Sequence, residues 1–252
     1  MAWAAFAFTV PFTVLLVWYD GIPAIHWQPF LAATLLSFLV NLLAWFLFFK
    51  ALSLAPVALT IPFTAFTPLF LIPIAYFSIG EVPSGRGIAG IFLIISGAYG
   101  LHLNSGSLFK PFRSLFRNKG TRYMLIVSFI WSISATAEKV AVVNSSPAFY
   151  GLVIFSLLAI AYLPVIRKIR PTDSILAPRT LFLFTLLGLI NGLLLWVQFT
   201  ALKYLYVSYV IAFKRAGIFV SVLFGAFILK EANPVRNLLF TGLMVLGIFL
   251  IM

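Results

Sequence analysis

Apolar residues follow one another along this chain in long unbroken runs, separated by short polar or Gly/Pro punctuation. A membrane-crossing helix needs about 20 largely apolar residues. Reading for such runs predicts nine spans, at roughly 2–19, 27–50, 55–79, 87–103, 122–140, 148–166, 180–202, 205–229 and 236–252. The runs are continuous rather than alternating, so they predict helices and not the strands of a membrane β-barrel. The fourth and ninth are short. Segment 2–19 lacks a basic leader, and Asp20-Gly21-Ile22-Pro23 does not resemble a small-residue cleavage site, so it reads as a span and not a signal peptide. The longest polar stretches are 104–121 and 167–179. Every other connection is tight, which predicts one compact bundle.

Composition agrees with the pattern. The chain is 63% hydrophobic and 9% charged, against about 45–50% apolar and about 25% charged in soluble domains. So few charges exclude a soluble enzyme, a nucleic-acid-binding domain and a disordered chain. The fold class is therefore an all-α polytopic membrane protein. With no cysteine there is neither a disulfide framework nor a thiolate metal site.

The spans repeat. Residues 41–102 placed over 191–252 at a constant offset of 150 match at 13 positions, among them Asn41/Asn191, Val57/Val207, Phe63/Phe213, Glu81/Glu231, Arg86/Arg236 and Gly97/Gly247. Leu and Phe matches arise easily in apolar sequence. Asn, Glu and Arg matches in one register do not, because the whole chain holds only 5 acids. The second repeat has five spans and the first has four, so the expectation is a five-plus-five protein whose first helix is missing. An odd repeat length inserts the two halves in opposite senses, giving an inverted-repeat helical bundle.

At this repeat a family resemblance enters. ALSLAPVALTIPFTAFTPLFLIPIAYFSIGE (51–81), followed by GIAGIFLIISGAYGL, resembles the EamA repeat of the drug/metabolite transporter superfamily. YLYVSYVIAFKRAGIFVSVLFGAFILKE (204–231), followed by LLFTGLMVLGIFLI, is similar to its second copy. On this resemblance 1–103 is the first EamA repeat, 104–121 a basic inter-repeat loop and 122–252 the second repeat. It implies a ten-helix transporter of small metabolites in a cytoplasmic or organellar membrane, working by alternating access. It also implies a central cavity lined by spans 27–50, 55–79, 122–140, 180–202 and 205–229.

The net charge of +12 is mostly orientation. One side holds 12 cations (Lys50, those of the 104–122 and 167–179 stretches, Lys230 and Arg236) and the other holds Arg86, Lys139 and Lys203. The positive-inside rule places the first side, with both basic loops, in the cytoplasm and turns the C-terminus outward. The basic loops then meet anionic lipid headgroups, worth about 1 kcal/mol per cation.

Only Lys214 and Arg215 are left inside a span, in IAFKRAGIF. They stand roughly 15 Å from its start, deep for snorkelling to a headgroup, and intramembrane charges are functional candidates. Adjacent helical residues point about 100° apart, so one cation can face a cavity while the other meets a neighbouring helix. Glu138 is the one acid within a span, and antiparallel counting leaves it roughly 5 Å in depth from Lys214 or Arg215. A gating or charge-balancing pair is one reading, and an interfacial Glu138–Lys139 pair is the other. Thr60, Thr64 and Thr67, interleaved with Pro62, Pro68 and Pro73, form an interrupted segment of the kind that marks substrate sites in inverted repeats. The alternative is hydroxyls bonded to their own helix backbone. Asn41, Asn191, Gln198, Trp45 and Trp196 complete the candidate substrate-binding set, with interhelical bonding as the competing role for the asparagines. Glu81 and Glu231 end their spans and read as cap and turn residues.

His26 and His102 lie apart, with no His-Glu-x-x-His, paired Asp or phosphate loop, so no enzyme, metal or cofactor is expected. The function expected is secondary transport, as an exporter, of a small anionic or zwitterionic metabolite. The alternatives are a lipid-linked flippase or scramblase, or a truncated non-transporting remnant. The partners expected are the metabolite and lipid, with no nucleic acid, and a homodimer is compatible with the sequence.

Overall fold

The computed structural model describes residues 2–101, 117–168, 177–217 and 234–252. All regular structure in them is helical: α1 (Ala2–Asp20), α2 (Trp27–Leu54), α3 (Val57–Thr60), a 3-10 segment (Ile61–Phe66), α4 (Thr67–Ile79), α5 (Gly85–Leu101), α6 (Lys119–Val143), α7 (Pro147–Lys168), α8 (Pro178–Tyr204), α9 (Val207–Ala216) and α10 (Pro234–Ile251). A helix satisfies its own backbone N–H and C=O groups, which hydrocarbon cannot do for it. The continuous apolar runs therefore become helices at the predicted positions. Trp3–Asp20, Trp27–Leu54, Ile61–Ile79, Lys119–Val143, Pro147–Pro164 and Pro178–Tyr204 are long and apolar enough to cross a membrane. Gly85–Leu101 and Leu239–Ile251, in the fourth and ninth predicted spans, are shorter. The remainder of span 205–229, with Lys230 and Glu231, lies outside the described residues. So do residues 102–116 and 169–176 of the two basic stretches.

The third span is not one regular helix. Pro62 and Pro68 enter at the first positions of successive helical pieces, where their missing N–H is least costly. Between them the chain tightens into the 3-10 segment, with Pro62, Phe63, Thr64 and Ala65 buried. α4 ends at Gly80, whose φ of 70° is left-handed and whose N–H bonds the carbonyls of Ala75 and Tyr76. That geometry suits glycine and reverses the chain sharply.

The helices form two compact units, and neither coincides with one half of the sequence. The first comprises Met1–Leu39 and Ala137–Tyr204. Here α8 meets α1 through Gly188 and Gly192, where an added Cβ would come within 2.2 Å of the Phe8 backbone and 2.5 Å of the Phe12 ring. Small residues one turn apart let helix backbones approach in lipid. α7 meets α1 through the stacked Phe6 and Phe155 rings, 6.3 Å apart. Elsewhere α8 is strongly exposed, with Phe182 at 67% and Leu194 at 64%. A bilayer, unlike water, tolerates such a surface.

The second unit comprises Val40–Thr136 and Leu205–Met252. Its most extensive helix contact joins α5 to α10. A Cβ on Gly90 would stand 2.5 Å from the Gly247 carbonyl oxygen, and one on Gly247 would stand 2.6 Å from the Gly90 oxygen. Ile91, Ile94, Ile95, Ala98 and Met244 fill the surrounding core, together with Ala65 and Ala212. In the same unit α6 packs on the second half of α2, with Gly120 against the Ala51 carbonyl and Ala55, and Met124 and Val127 clustered with Ala51. The Ser128 hydroxyl donates to the Phe63 carbonyl at 2.6 Å, tying α6 to the 3-10 segment.

Candidate functional site

In the second unit the candidate residues gather on α9 and on the interrupted span. Arg215, in the last turn of α9, donates from Nη2 to Thr67 Oγ1 at 3.5 Å. Its Nε is buried and has no hydrogen-bond partner among the described residues. Lys214 beside it is exposed. Thr60, Thr64 and Thr67 are all buried. Their hydroxyls donate to their own segment: Thr60 to the Pro56 and Val57 carbonyls, Thr64 to Ile61 at 2.8 Å, and Thr67 to Thr64 at 2.9 Å. Such i−3 bonds suit the 3-10 geometry. They spend the hydroxyl protons and leave the oxygen lone pairs as acceptors. Thr67 thereby presents an acceptor to the guanidinium, which has donors only.

Asn41 Nδ2 donates to Ser134 Oγ at 2.6 Å, joining α2 to α6. Trp45 packs in an aromatic group, its ring centroid 5.9 Å from Trp131 and 5.5 Å from Phe48. At the far end of the same unit, the buried Glu81 accepts the Val207 N–H at 2.8 Å.

In the first unit Glu138 accepts a hydrogen bond from Gln198 Nε2 at 3.3 Å, so two of the candidates meet across α6 and α8. Asn191 Nδ2 donates to Thr9 Oγ1 at 3.0 Å, and Thr9 in turn reaches the Gly188 carbonyl at 3.2 Å. The repeat-matched asparagines thus both bond a hydroxyl on another helix, and neither partner was singled out in the sequence. Trp196 borders a shallow crevice between α1, α7 and α8, alongside Thr13, Ala148, Gly151 and Phe155. Glu138 belongs to the first unit, and Lys214 and Arg215 belong to the second.

Sequence reasoning also passed over a buried polar pair in the first unit. The Tyr150 hydroxyl lies 2.8 Å from Ser37 Oγ, and both side chains are fully buried. The Tyr150 ring packs edge-on against Phe199 at 4.9 Å. A Tyr at the start of a span looks like an interfacial belt residue, and only its burial distinguishes it.

Comparison with known proteins bears on the whole arrangement. Residues 1–103 and 118–252 match the EamA-like transporter family. A solved crystal structure of a protein is similar over 98% of this chain and 85% of its own length, with TM-score 0.72 and 18% sequence identity. That likeness is one of fold. No curated protein matches the chain.

Proposed function

Given that the chain belongs to the EamA-like transporter family, we propose that it is a secondary transporter exporting a small anionic or zwitterionic metabolite by alternating access across the cytoplasmic membrane. Family membership makes it a multi-pass membrane transporter. The substrate class and the roles of individual residues are our inference.

One observation carries that reading: the Arg215 guanidinium, in the predicted span 205–229, has Nη2 on Thr67 and a buried Nε unpartnered among the described residues. A buried donor without a partner costs about 1–3 kcal/mol, more when charged. An arginine inside a span costs roughly 2.5–3.5 kcal/mol on insertion scales. A carboxylate or phosphate placed on the Nε/Nη edge relieves both costs through two parallel charge-assisted bonds, a geometry that lysine cannot supply. Lys214 adds a second positive charge one residue away. Thr60 and Thr64, with Trp45, shape the polar and aromatic surroundings in the second unit. Glu138, Gln198, Asn191 and Trp196 are the corresponding candidates in the first unit. Anionic lipid against the basic loops completes the expected partners.

The test compares exported metabolites between a deletion strain and strains overexpressing the parent, R215K, R215M or K214M. The parent is expected to raise one or a few extracellular anions or zwitterions. R215M should abolish that rise, and R215K should restore part of it. Export by R215M at the parent level would remove Arg215 from the site, and a purely cationic set of exported compounds would remove the substrate class.

A further inference from the structure

At one end of the second unit, the turn between α4 and α5 meets the first turn of α9. The left-handed Gly80 and the bond from Glu81 N–H to the Ala75 carbonyl turn the chain there. The Glu81 side chain, 7% exposed, then accepts the first N–H of α9, that of Val207, at 2.8 Å. Two residues along, the Tyr209 hydroxyl accepts the Ser84 N–H at 3.2 Å. Its phenol sits so close to Gly87 that a Cβ there would lie 1.9 Å from the hydroxyl oxygen. Ser84 Oγ accepts the Gly87 N–H at 3.1 Å and starts α5. One carboxylate and one phenol thus tie together the ends of α4, α5 and α9.

Helix α9 has no side-chain cap from its own flanking residue, Tyr206. The orphan N–H at its start is satisfied from an element 126 residues away. A carboxylate on a helix N-terminus makes a charge-assisted bond aided by the helix dipole. Local capping needs only a neighbouring Ser, Thr, Asp or Asn. Capping from a distant turn does something that local capping cannot, because it makes the position of the helix depend on the turn. The dependence reaches Lys214 and Arg215, since Arg215 stands eight residues further along α9, about 12 Å away.

We propose that Glu81 is the latch of a gate. Its bond to α9, seconded by Tyr209 on Ser84, holds this end of the second unit closed, and breaking it opens this end during the transport cycle. The proposal rests on the proposed alternating access and not on the anion reading, so the test uses no substrate. The sequence contains no cysteine, so an introduced Val207→Cys, at a position with no exposed surface, is the sole thiol. Its rate of alkylation by N-ethylmaleimide in detergent micelles is measured with Glu81 intact and in E81A, E81M and Y209F backgrounds. A second single-thiol reporter, Ser53→Cys, occupies an exposed position at the opposite end of the unit, beyond the intervening span. Thermal melting of each variant shows that it is folded, and E81M and Y209F carry the test if E81A is not.

The expected result is that the thiol at position 207 reacts about tenfold faster or more without the latch, the factor carried by loss of a hydrogen bond to a charged group. The thiol at position 53 should react more slowly in the same backgrounds, because opening one end of an alternating-access protein closes the other. Unchanged reactivity of the V207C thiol in folded E81M and Y209F would overturn the proposal. Faster reaction of the V207C thiol with the S53C thiol unchanged would also overturn it, and would make Glu81 a cap and nothing more.

Discussion

Replacing Gly90 by Ala should weaken the protein although alanine is the better helix former. A Cβ at Gly90 would stand 2.5 Å from the Gly247 carbonyl oxygen, where ordinary contact begins at 3.4 Å, a shortfall of 0.9 Å. The obstructing atom is backbone, so no side chain can swing away, and α5 and α10 must separate. A gap of that size forfeits about a quarter to a half of the dispersion well for each facing atom pair. The fully buried Ile91, Ile94 and Met244 lie in the surrounding core. Overpacking of this kind costs about 1–3 kcal/mol, and the helix propensity of Ala over Gly returns about 1 kcal/mol. The balance is a loss of up to about 2 kcal/mol. Gly242, also on α10, has nothing within 4 Å of its would-be Cβ, so G242A keeps the propensity gain without the clash. Thermal or SDS-induced unfolding of the detergent-purified protein should show G90A less stable than the parent and G242A at least as stable. If G90A melted at or above the parent, close backbone approach would not be what holds these helices together.

N41A and N191A should each lower stability by about 0.5–2 kcal/mol in the same unfolding assay, because each removes a hydrogen bond between helices in a medium that offers no replacement. Mutating the acceptors as S134A and T9A should have similar effects, and the double mutants N41A/S134A and N191A/T9A should fall short of additive. S128A should cost about 1 kcal/mol, since it leaves the Phe63 carbonyl without its donor from α6. An unaffected melting curve would show that the 3-10 segment is held by its prolines and packing alone.

The positions of the spans were legible in the sequence because hydrocarbon imposes its requirement on each segment separately. About 20 apolar residues with self-satisfied backbone is a local condition, and α1, α2, α6, α7 and α8 meet it residue by residue. The prolines of the third span foretold an interruption, because their effect is also local. Pairings were not legible. Arg215 and Thr67 were both singled out, but 148 residues separate them and nothing in either segment says that they meet. Asn41 and Asn191 announced themselves by their matched register, while their acceptors, Ser134 and Thr9, are ordinary small residues of apolar helices. Glu81 read as a cap and turn residue of its own span. Its bond to Val207 became visible only once α9 was in place.

By itself, then, the sequence determined the solvent of this protein, the place of its helices along the chain, and the matched register of its two halves. Each depends on composition and spacing along one segment or on a comparison of segments. The tertiary structure alone decided which polar groups share a bond, and where glycine admits a second backbone. It also decided which charge keeps an unpartnered donor among the described residues. Those outcomes depend on distances of a few tenths of an ångström between residues remote in the chain, and packing, not hydropathy, sets such distances.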